Sequence, residues 1–328
     1  MGKFVKSFRE MTKKDTQEAG GKAANLSELT QGGFNVPPGF CVTSGSLPHL
    51  LASNGLQPAI DALVASFDYD DFEALEAQTA EIRALIAGAT IPSDLLGEIR
   101  EAIAALAPDP SILVAVRSSV AVKGTAISSF PGMMDTFHYL RGEDEIIAHI
   151  KLCWASLWTT RATFDRYHKH IDHRLGLISP TVQRMVHSEV AGVLFTANPV
   201  NGSRDQMVIE ANWGLGESVV SGKSMNDFFI VDKNSLECTT ERIARKTVMF
   251  DLDRAKGYGR IECPVPPEKS EAPTLGPNQI RALGEIGRRI EALFGFPQDV
   301  EWAFEGGELY ILQSRNIKNL QSQGNERT

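Results

Sequence analysis

Two glycines and a lysine, Gly20-Gly21-Lys22, stand immediately before apolar residues at helical spacing. Glycine lets backbone N–H groups approach an anion, a helix N-terminus adds partial positive charge, and the lysine supplies a mobile full charge. That combination suits a phosphate, although G-x-x-x-x-G-K-[ST] is absent and a glycine pair at a helix start is also ordinary turn chemistry. Arg117 follows the β-branched run at 111–116. Its fork can hold phosphoryl oxygens in two hydrogen bonds, or pair with a surface carboxylate. Behind it Gly124, Gly132 and Thr136 lie in a Ser- and Gly-bearing stretch that can fold over a ligand or merely connect two elements. Near the C-terminus Glu301 and Gln313 are polar residues inside two apolar arms, with Arg315 two places further on. An oxygen pair of this kind suits Mg²⁺ bridging nucleotide phosphates, whereas solvent-facing strands would accommodate the same residues for no chemical reason. Gln183 and Met185 sit in a strand-like segment, 181–186, that could line a purine pocket.

These residues need elements to position them. Helical spacing is found at 24–29, 57–66, 72–87 and 94–107, so the first third reads as a helical region. Residues 111–116 read as a buried strand ending at Arg117, and 118–131 as a loop continuing to Thr136. One long helix is expected over 144–169, then short strands at 181–186, 192–196, 207–211 and 228–231. The Pro-rich 257–277 reads as a surface connection, 279–294 as an amphipathic helix, and 299–313 as a hairpin around Gly306-Gly307. Register decides whether Glu301 and Gln313 can cooperate. A two-residue Gly306-Gly307 turn pairs Val300 with Gln313 and puts Glu301 on the other face, while a three-residue loop at 306–308 pairs Glu301 with Gln313. The three-residue loop is the expectation. The glycines of 210–217 are read first as close packing where a strand leaves a sheet.

Composition narrows the function classes. The chain has 328 residues, 42% of them hydrophobic, with 33 Lys plus Arg against 41 Asp plus Glu. That is an ordinary globular composition, long enough for about two domains. A formal charge of -8 and no basic run argue against nucleic-acid binding. No apolar stretch approaches the ~18–20 residues of a membrane helix, and the start lacks a signal-peptide core, so the protein is expected to be cytoplasmic. The four cysteines are scattered without metal-ligand spacing. His168, His170 and His173 are interleaved with charges and read as a solvated helix end rather than a metal site.

In order along the chain, GGKAANL, VPPGFCVT, VAVRSS, SFPGMMDTF, VQRMV, GVLFTANP, EANWGLGESVVSG and VEWAFEGGELYILQSR resemble the nucleotide-binding domain of the phosphoenolpyruvate synthase and pyruvate phosphate dikinase family, to which rifampin phosphotransferase is related. The resemblance covers nearly the whole chain. It implies an α/β (α+β) ATP-grasp fold with a helical N-terminal region, divided into an N-terminal lobe at 1–190, a C-terminal lobe at 191–318 and a polar, frayed tail at 319–328. By the same resemblance Lys22 and Arg117 hold ATP phosphates, Gly132 and Thr136 belong to the loop over them, and Gln183, Met185 and Val186 line the adenine pocket. Glu301 and Gln313 ligate Mg²⁺, and Arg315 stabilises charge on the phosphoryl groups in flight. These roles agree with the general demand of phosphoryl transfer for positioning and charge neutralisation.

Two departures qualify the match. Val122-Lys123 stands where members usually carry an acidic pair, and none of the seven histidines lies in the Gly-rich Thr/Ser-His motif of the family's phosphohistidine carrier. The implied function is therefore transfer of a phosphoryl group from MgATP, by the family pattern the β-phosphate, to a histidine on a separate subunit or missing domain, for delivery to pyruvate, a phenol-like compound or an antibiotic. Phenylphosphate synthase, which divides these parts between subunits, resembles that arrangement. A self-sufficient small-molecule kinase and an ATP-responsive regulatory module are the alternatives.

Overall fold

The computed structural model describes residues 4–122, 136–317 and 320. Lys123, Gly124, Gly132 and all of the expected tail at 319–328 except Leu320 lie outside the described residues. The chain divides into two compact units, Met1–Glu28 with Pro38–Met185, and Leu29–Pro37 with Val186–Thr328.

The first unit runs through β1 (Val5–Ser7), α1 (Thr16–Gln31), β2 (Gly39–Val42), α2 (Ser46–Ser53), α3 (Gln57–Ala65), α4 (Phe72–Gly88), α5 (Ser93–Leu106), β3 (Val114–Val122), β4 (Thr136–Leu140), α6 (Glu143–Ser156), α7 (Thr160–His168) and β5 (Gly176–Arg184). Its strands form one antiparallel sheet in the order β1-β2-β5-β3-β4. Alternation along β3 sends Val114, Val116 and Val120 into a core shared with Ile82 and Ile86 of α4 and Ile146, Ile150 and Trp154 of α6. Ala115, Arg117 and Ser119 consequently face the other side.

Three expectations fail here for identifiable reasons. The strand does not stop at Arg117: Ser118, Ser119 and Val120 pair with Pro180, Ser179 and Ile178 of β5, so the small polar residues that resemble loop chemistry are strand, and Thr136, expected to end the loop, opens β4 as the partner of Arg117. The helix expected over 144–169 is two helices. At the break, side chains replace the helical partners of the backbone: Arg166 donates to the Leu157 carbonyl at 2.7 Å, Arg83 to the Trp158 carbonyl at 2.9 Å, and the Thr159 hydroxyl caps α7 by accepting from Ala162 N–H. His173 also departs from the solvated reading. It accepts from buried Arg166 at 2.9 Å through Nδ1 and lies 2.7 Å from the Tyr69 hydroxyl through Nε2, whereas His168 and His170 are exposed.

The second unit contains β6 (Val190–Phe195), β7 (Gln206–Trp213), α8 (Glu217–Val220), β8 (Asp227–Asp232), β9 (Cys238–Arg242), β10 (Val248–Leu252), β11 (Arg260–Pro264), α9 (Pro267–Ser270), α10 (Pro277–Phe294), β12 (Gln298–Glu305) and β13 (Glu308–Asn316). Six strands form an antiparallel sheet in the order β13-β12-β6-β7-β8-β9, and β10 pairs with β11 separately. The stretch at 257–277 is thus no bare connection, since β11 and α9 occupy part of it. Ile280, Leu283 and Ile290 of α10 pack with Leu194, Met207, Ile209, Val300, Trp302 and Ile311. The approach is close: a Cβ at Gly287 would lie 2.9 Å from Leu194 Cδ2 and 3.1 Å from Met207 Sδ. With that face covered, alternation leaves Asp299 and Glu301 on the opposite face. Gly214 has φ +72° and forms a bridge to Phe250, so a glycine of the 210–217 segment does serve close packing. Among the described residues, no helix is long and apolar enough to cross a membrane.

Candidate nucleotide site

In the first unit the face away from the helical core carries the residues singled out for nucleotide contact. Arg117 pairs with Thr136 of β4 on one side and with Thr181 of β5 on the other, which sets three polar residues in a row across the sheet. Two residues back along β3, Ala115 pairs with Gln183, whose other neighbour is Gly39 of β2. Arg117 is only 8% exposed and Gln183 2%. Thr181 Oγ1 is buried with no hydrogen-bond partner among the described residues. Lys22 enters the same neighbourhood from α1, where Gly20, at φ 72° and ψ 162°, interrupts the helix. Its backbone N–H donates to Ser119 Oγ at 3.2 Å, so one donor at this helix start is already engaged by the protein. Met185 ends the unit with its N–H donating to the Leu113 carbonyl at 2.9 Å, and Val186 opens the next unit, packed with Ala191 and Ala303.

The hairpin of the second unit brings Glu301 opposite Gln313, but by a route other than the three-residue loop. The turn is the two-residue one: Gly306 and Gly307 both have positive φ, 57° and 83°, and Glu305 pairs with Glu308. This is the backbone hand that a tight hairpin between twisted strands requires and that glycine supplies without steric cost. In that register Trp302 pairs with Ile311, and an uninterrupted ladder would carry Gln313 to Val300. A β-bulge intervenes. The register shifts between Glu301 and Trp302, Leu312 is the extra residue, and Glu301 pairs with Gln313, Val300 with Ser314 and Asp299 with Arg315. Leu312 packs against the small cluster of Val186, Ala191 and Ala303.

Electrostatics on this face are set by Asp299, a residue the sequence reading missed. Its Oδ2 accepts from Arg315 Nε at 2.8 Å and pairs with Nη2 at 2.7 Å, which holds the guanidinium beside the Glu301–Gln313 pair. Burial raises the Asp299 carboxyl above its ordinary pKa against the pull of Arg315, and the charge of Glu301 adds to the rise. The signal was available in D-x-E on one arm and Q-x-R on the other, since paired antiparallel strands put all four on one face once the register is known. Ser119 was missed because its side chain acts on a segment almost a hundred residues away.

The donor set fits Mg²⁺. Gln313 is 5% exposed, and its Oε1 is buried without a hydrogen-bond partner among the described residues, while Glu301 opposite supplies a carboxylate. A buried amide oxygen left unpaired costs about 1–3 kcal/mol, and a hard cation is the kind of partner that relieves it. No cluster of three or more His, Cys, Asp or Glu suited to a metal occurs among the described residues.

Residues 16–328 match the family described as pyruvate phosphate dikinase, AMP/ATP-binding domain. The chain is 39% identical over 323 residues to a probable phosphoenolpyruvate synthase of Methanothermobacter thermautotrophicus, covering 98% of this chain and 47% of that protein. It is 38% identical to the phosphoenolpyruvate synthase of Pyrococcus furiosus, over 98% of this chain and 44% of the relative, and 36% identical to a rifampicin phosphotransferase of Streptomyces sviceus, over 97% and 36%. The chain therefore spans less than half the length of these relatives. Its α/β architecture, with a helical N-terminal region, is the one the resemblance implies for an ATP-binding domain. The chain belongs to the pyruvate phosphate dikinase AMP/ATP-binding domain family.

Proposed function

We propose that this chain binds MgATP and passes a phosphoryl group to a histidine carried on another domain or subunit, from which a small acceptor of the pyruvate, phenol-like or antibiotic class receives it. The observation that carries this reading is the bulged hairpin. It sets Glu301 opposite Gln313, leaves Gln313 Oε1 buried and unpartnered, and holds Arg315 beside them through Asp299. A sheet needing only stability would gain nothing from this arrangement, because a buried polar atom without a partner is destabilising.

In this proposal Lys22 and Arg117 bind the phosphate oxygens, with Thr136, the β4 partner of Arg117, next to them in the sheet; the role that the resemblance gives Gly132 falls outside the described residues. Gln183, Met185 and Val186 line the adenine pocket. Glu301 and Gln313 hold Mg²⁺, which when bound neutralises charge on the phosphates. Arg315 presents its guanidinium to the group being transferred, and Asp299 limits where that guanidinium can go. Positioning and charge neutralisation of this kind supply most of the catalysis in phosphoryl transfer. By the family pattern the histidine attacks the β-phosphorus and AMP leaves, and a water molecule cleaves the bond to the γ-phosphate, so that ATP, histidine and water give phosphohistidine, AMP and phosphate, in the cytosol where ATP is supplied.

Calorimetric titration tests the binding step. MgATP is expected to bind on the order of tenfold more tightly than ATP in EDTA. Glu301→Gln should abolish that increment, and Lys22→Ala should weaken both titrations. Equal affinity with and without Mg²⁺ in the unaltered chain contradicts the metal assignment.

A further inference from the structure

Lys22 and Arg117 come from distant parts of the chain, yet both must meet the same triphosphate if the proposed function holds, and the inference here rests on that reading. Arg117 and Ser119 are two residues apart on β3 and share its polar face. On the other side of the joint, α1 is interrupted at Gly20 and resumes at Gly21, with Lys22 in its new first turn. Such a turn has backbone N–H groups with no helical partner, normally met by a side chain from the residue just before it. Here glycine stands before it, and the hydroxyl comes from β3 instead: Lys22 N–H donates to Ser119 Oγ at 3.2 Å. The fit is close. A Cβ at Gly20 would lie 2.8 Å from Ser119 Cβ and nearer still to its Oγ, so the absent side chain of Gly20 is the space that the Ser119 hydroxyl occupies.

The segment leading to this joint is tied to the same face of the sheet. The Glu18 carbonyl accepts from Ser179 Oγ at 2.8 Å and from Ser44 N–H at 2.7 Å, and the Ala19 carbonyl from the Cys41 thiol at 3.5 Å. Ser179 is in turn the β5 partner of Ser119. Residues 18–22 therefore lie across β2, β5 and β3, each step fixed by a hydrogen bond, with the last made to the strand that carries Arg117.

We propose that Ser119 is a positioning residue for phosphate binding: it caps the helix that begins at Gly21 from across the fold, and so sets Lys22 at a fixed offset from Arg117. In this arrangement the Lys22 N–H belongs to Ser119, and the phosphate is met by the Lys22 ammonium.

The test is a double-mutant cycle read by calorimetry with MgATP and, separately, with adenosine, which has no phosphate. Ser119→Ala should weaken MgATP about fivefold, the equilibrium equivalent of losing a helix cap, and leave adenosine unchanged. In a Lys22→Ala background, which keeps the backbone N–H but not the ammonium, Ser119→Ala should have no further effect. Unaltered MgATP affinity in Ser119→Ala, an equal loss for adenosine, or a loss of the same size in the Lys22→Ala background each overturns the proposal. If Lys22→Ala itself binds MgATP as the parent does, the phosphate reading of Lys22 fails and this proposal falls with it, a result distinct from the other three. Hydrogen exchange on the unaltered chain needs no variant. The Lys22 amide should be protected, and an unprotected Lys22 amide refutes the cap.

Discussion

Replacing Gln313 by methionine should move two observables in opposite directions. Gln313 Oε1 is buried without a hydrogen-bond partner among the described residues, and the residue is 5% exposed. Leaving an amide oxygen in that state costs about 1–3 kcal/mol. Methionine is unbranched, of similar volume and adaptable in irregular space, so the change removes the penalty with little repacking cost. Allowing for lost solvation of the amide nitrogen, the nucleotide-free protein should gain roughly 1 kcal/mol, or about 2 °C in Tm for a chain of this size. A thioether is a poor ligand for a hard cation, however, so the Mg²⁺-dependent part of ATP affinity should fall on the order of tenfold or more. The assay is thermal unfolding without ligand beside calorimetric titration with MgATP and with ATP in EDTA. A lower Tm with unchanged Mg²⁺ dependence would instead make Gln313 a packing residue whose amide contributes to the fold, and would remove it from the metal site.

Other consequences follow from the same geometry. Asp299→Asn should change unfolding free energy by less than about 1 kcal/mol, because burial raises the carboxyl's pKa against the pull of Arg315 and the pair is near break-even for the fold; phosphoryl transfer should nonetheless slow about tenfold as Arg315 loses its anchor. Lys246 and Asp227 form a fully buried ion pair at 2.6 Å, with Asp227 also accepting from Thr274 and Ala244. Lys246→Met strands that carboxylate and should cost about 3–5 kcal/mol in chemical denaturation. His173 is held neutral, its pKa lowered from 6.5 to about 4 by burial and by the Arg166 charge. Between those values the unfolded chain takes up a proton that the folded ring refuses, so this group's stabilising contribution is present above pH 6.5 and is lost as pH falls towards about 4. The ring is only half-buried, so the loss should be roughly 1–2 kcal/mol, measured as the difference in pH dependence of melting between the parent and His173→Gln.

The parts of this fold that depend on alternation were legible in the sequence. Helices at 57–65, 72–88, 93–106 and 277–294 and the strands around 192, 207 and 228 follow from apolar periodicity, and the face that each residue takes follows with them. What periodicity cannot supply is a decision made by distant partners. Ser118 and Ser119 carry loop chemistry and become strand because β5 offers them a ladder. The break between α6 and α7 depends on Arg83 and Arg166 reaching the Trp158 and Leu157 carbonyls. The hairpin is the sharpest case. Glu301 does face Gln313, yet the expected loop length was wrong, because the Gly-Gly turn keeps its usual two residues and the bulge at Leu312 makes up the difference. Asp299 escaped notice because its importance depends on that register, and Ser119 because a cap from another strand leaves no local motif.

Phosphorus NMR of the purified chain with MgATP, alone and then with a polypeptide bearing the phosphohistidine carrier of a relative, decides whether this chain needs a histidine carrier to consume ATP. ATP should be bound but stay intact with the chain alone, and adding the carrier should yield AMP, phosphate and a protein-bound phosphoramidate signal, all lost in Arg315→Ala. Steady formation of AMP or ADP by the chain alone would contradict that need, since the chain would then be delivering phosphate to water or a small acceptor without any histidine carrier.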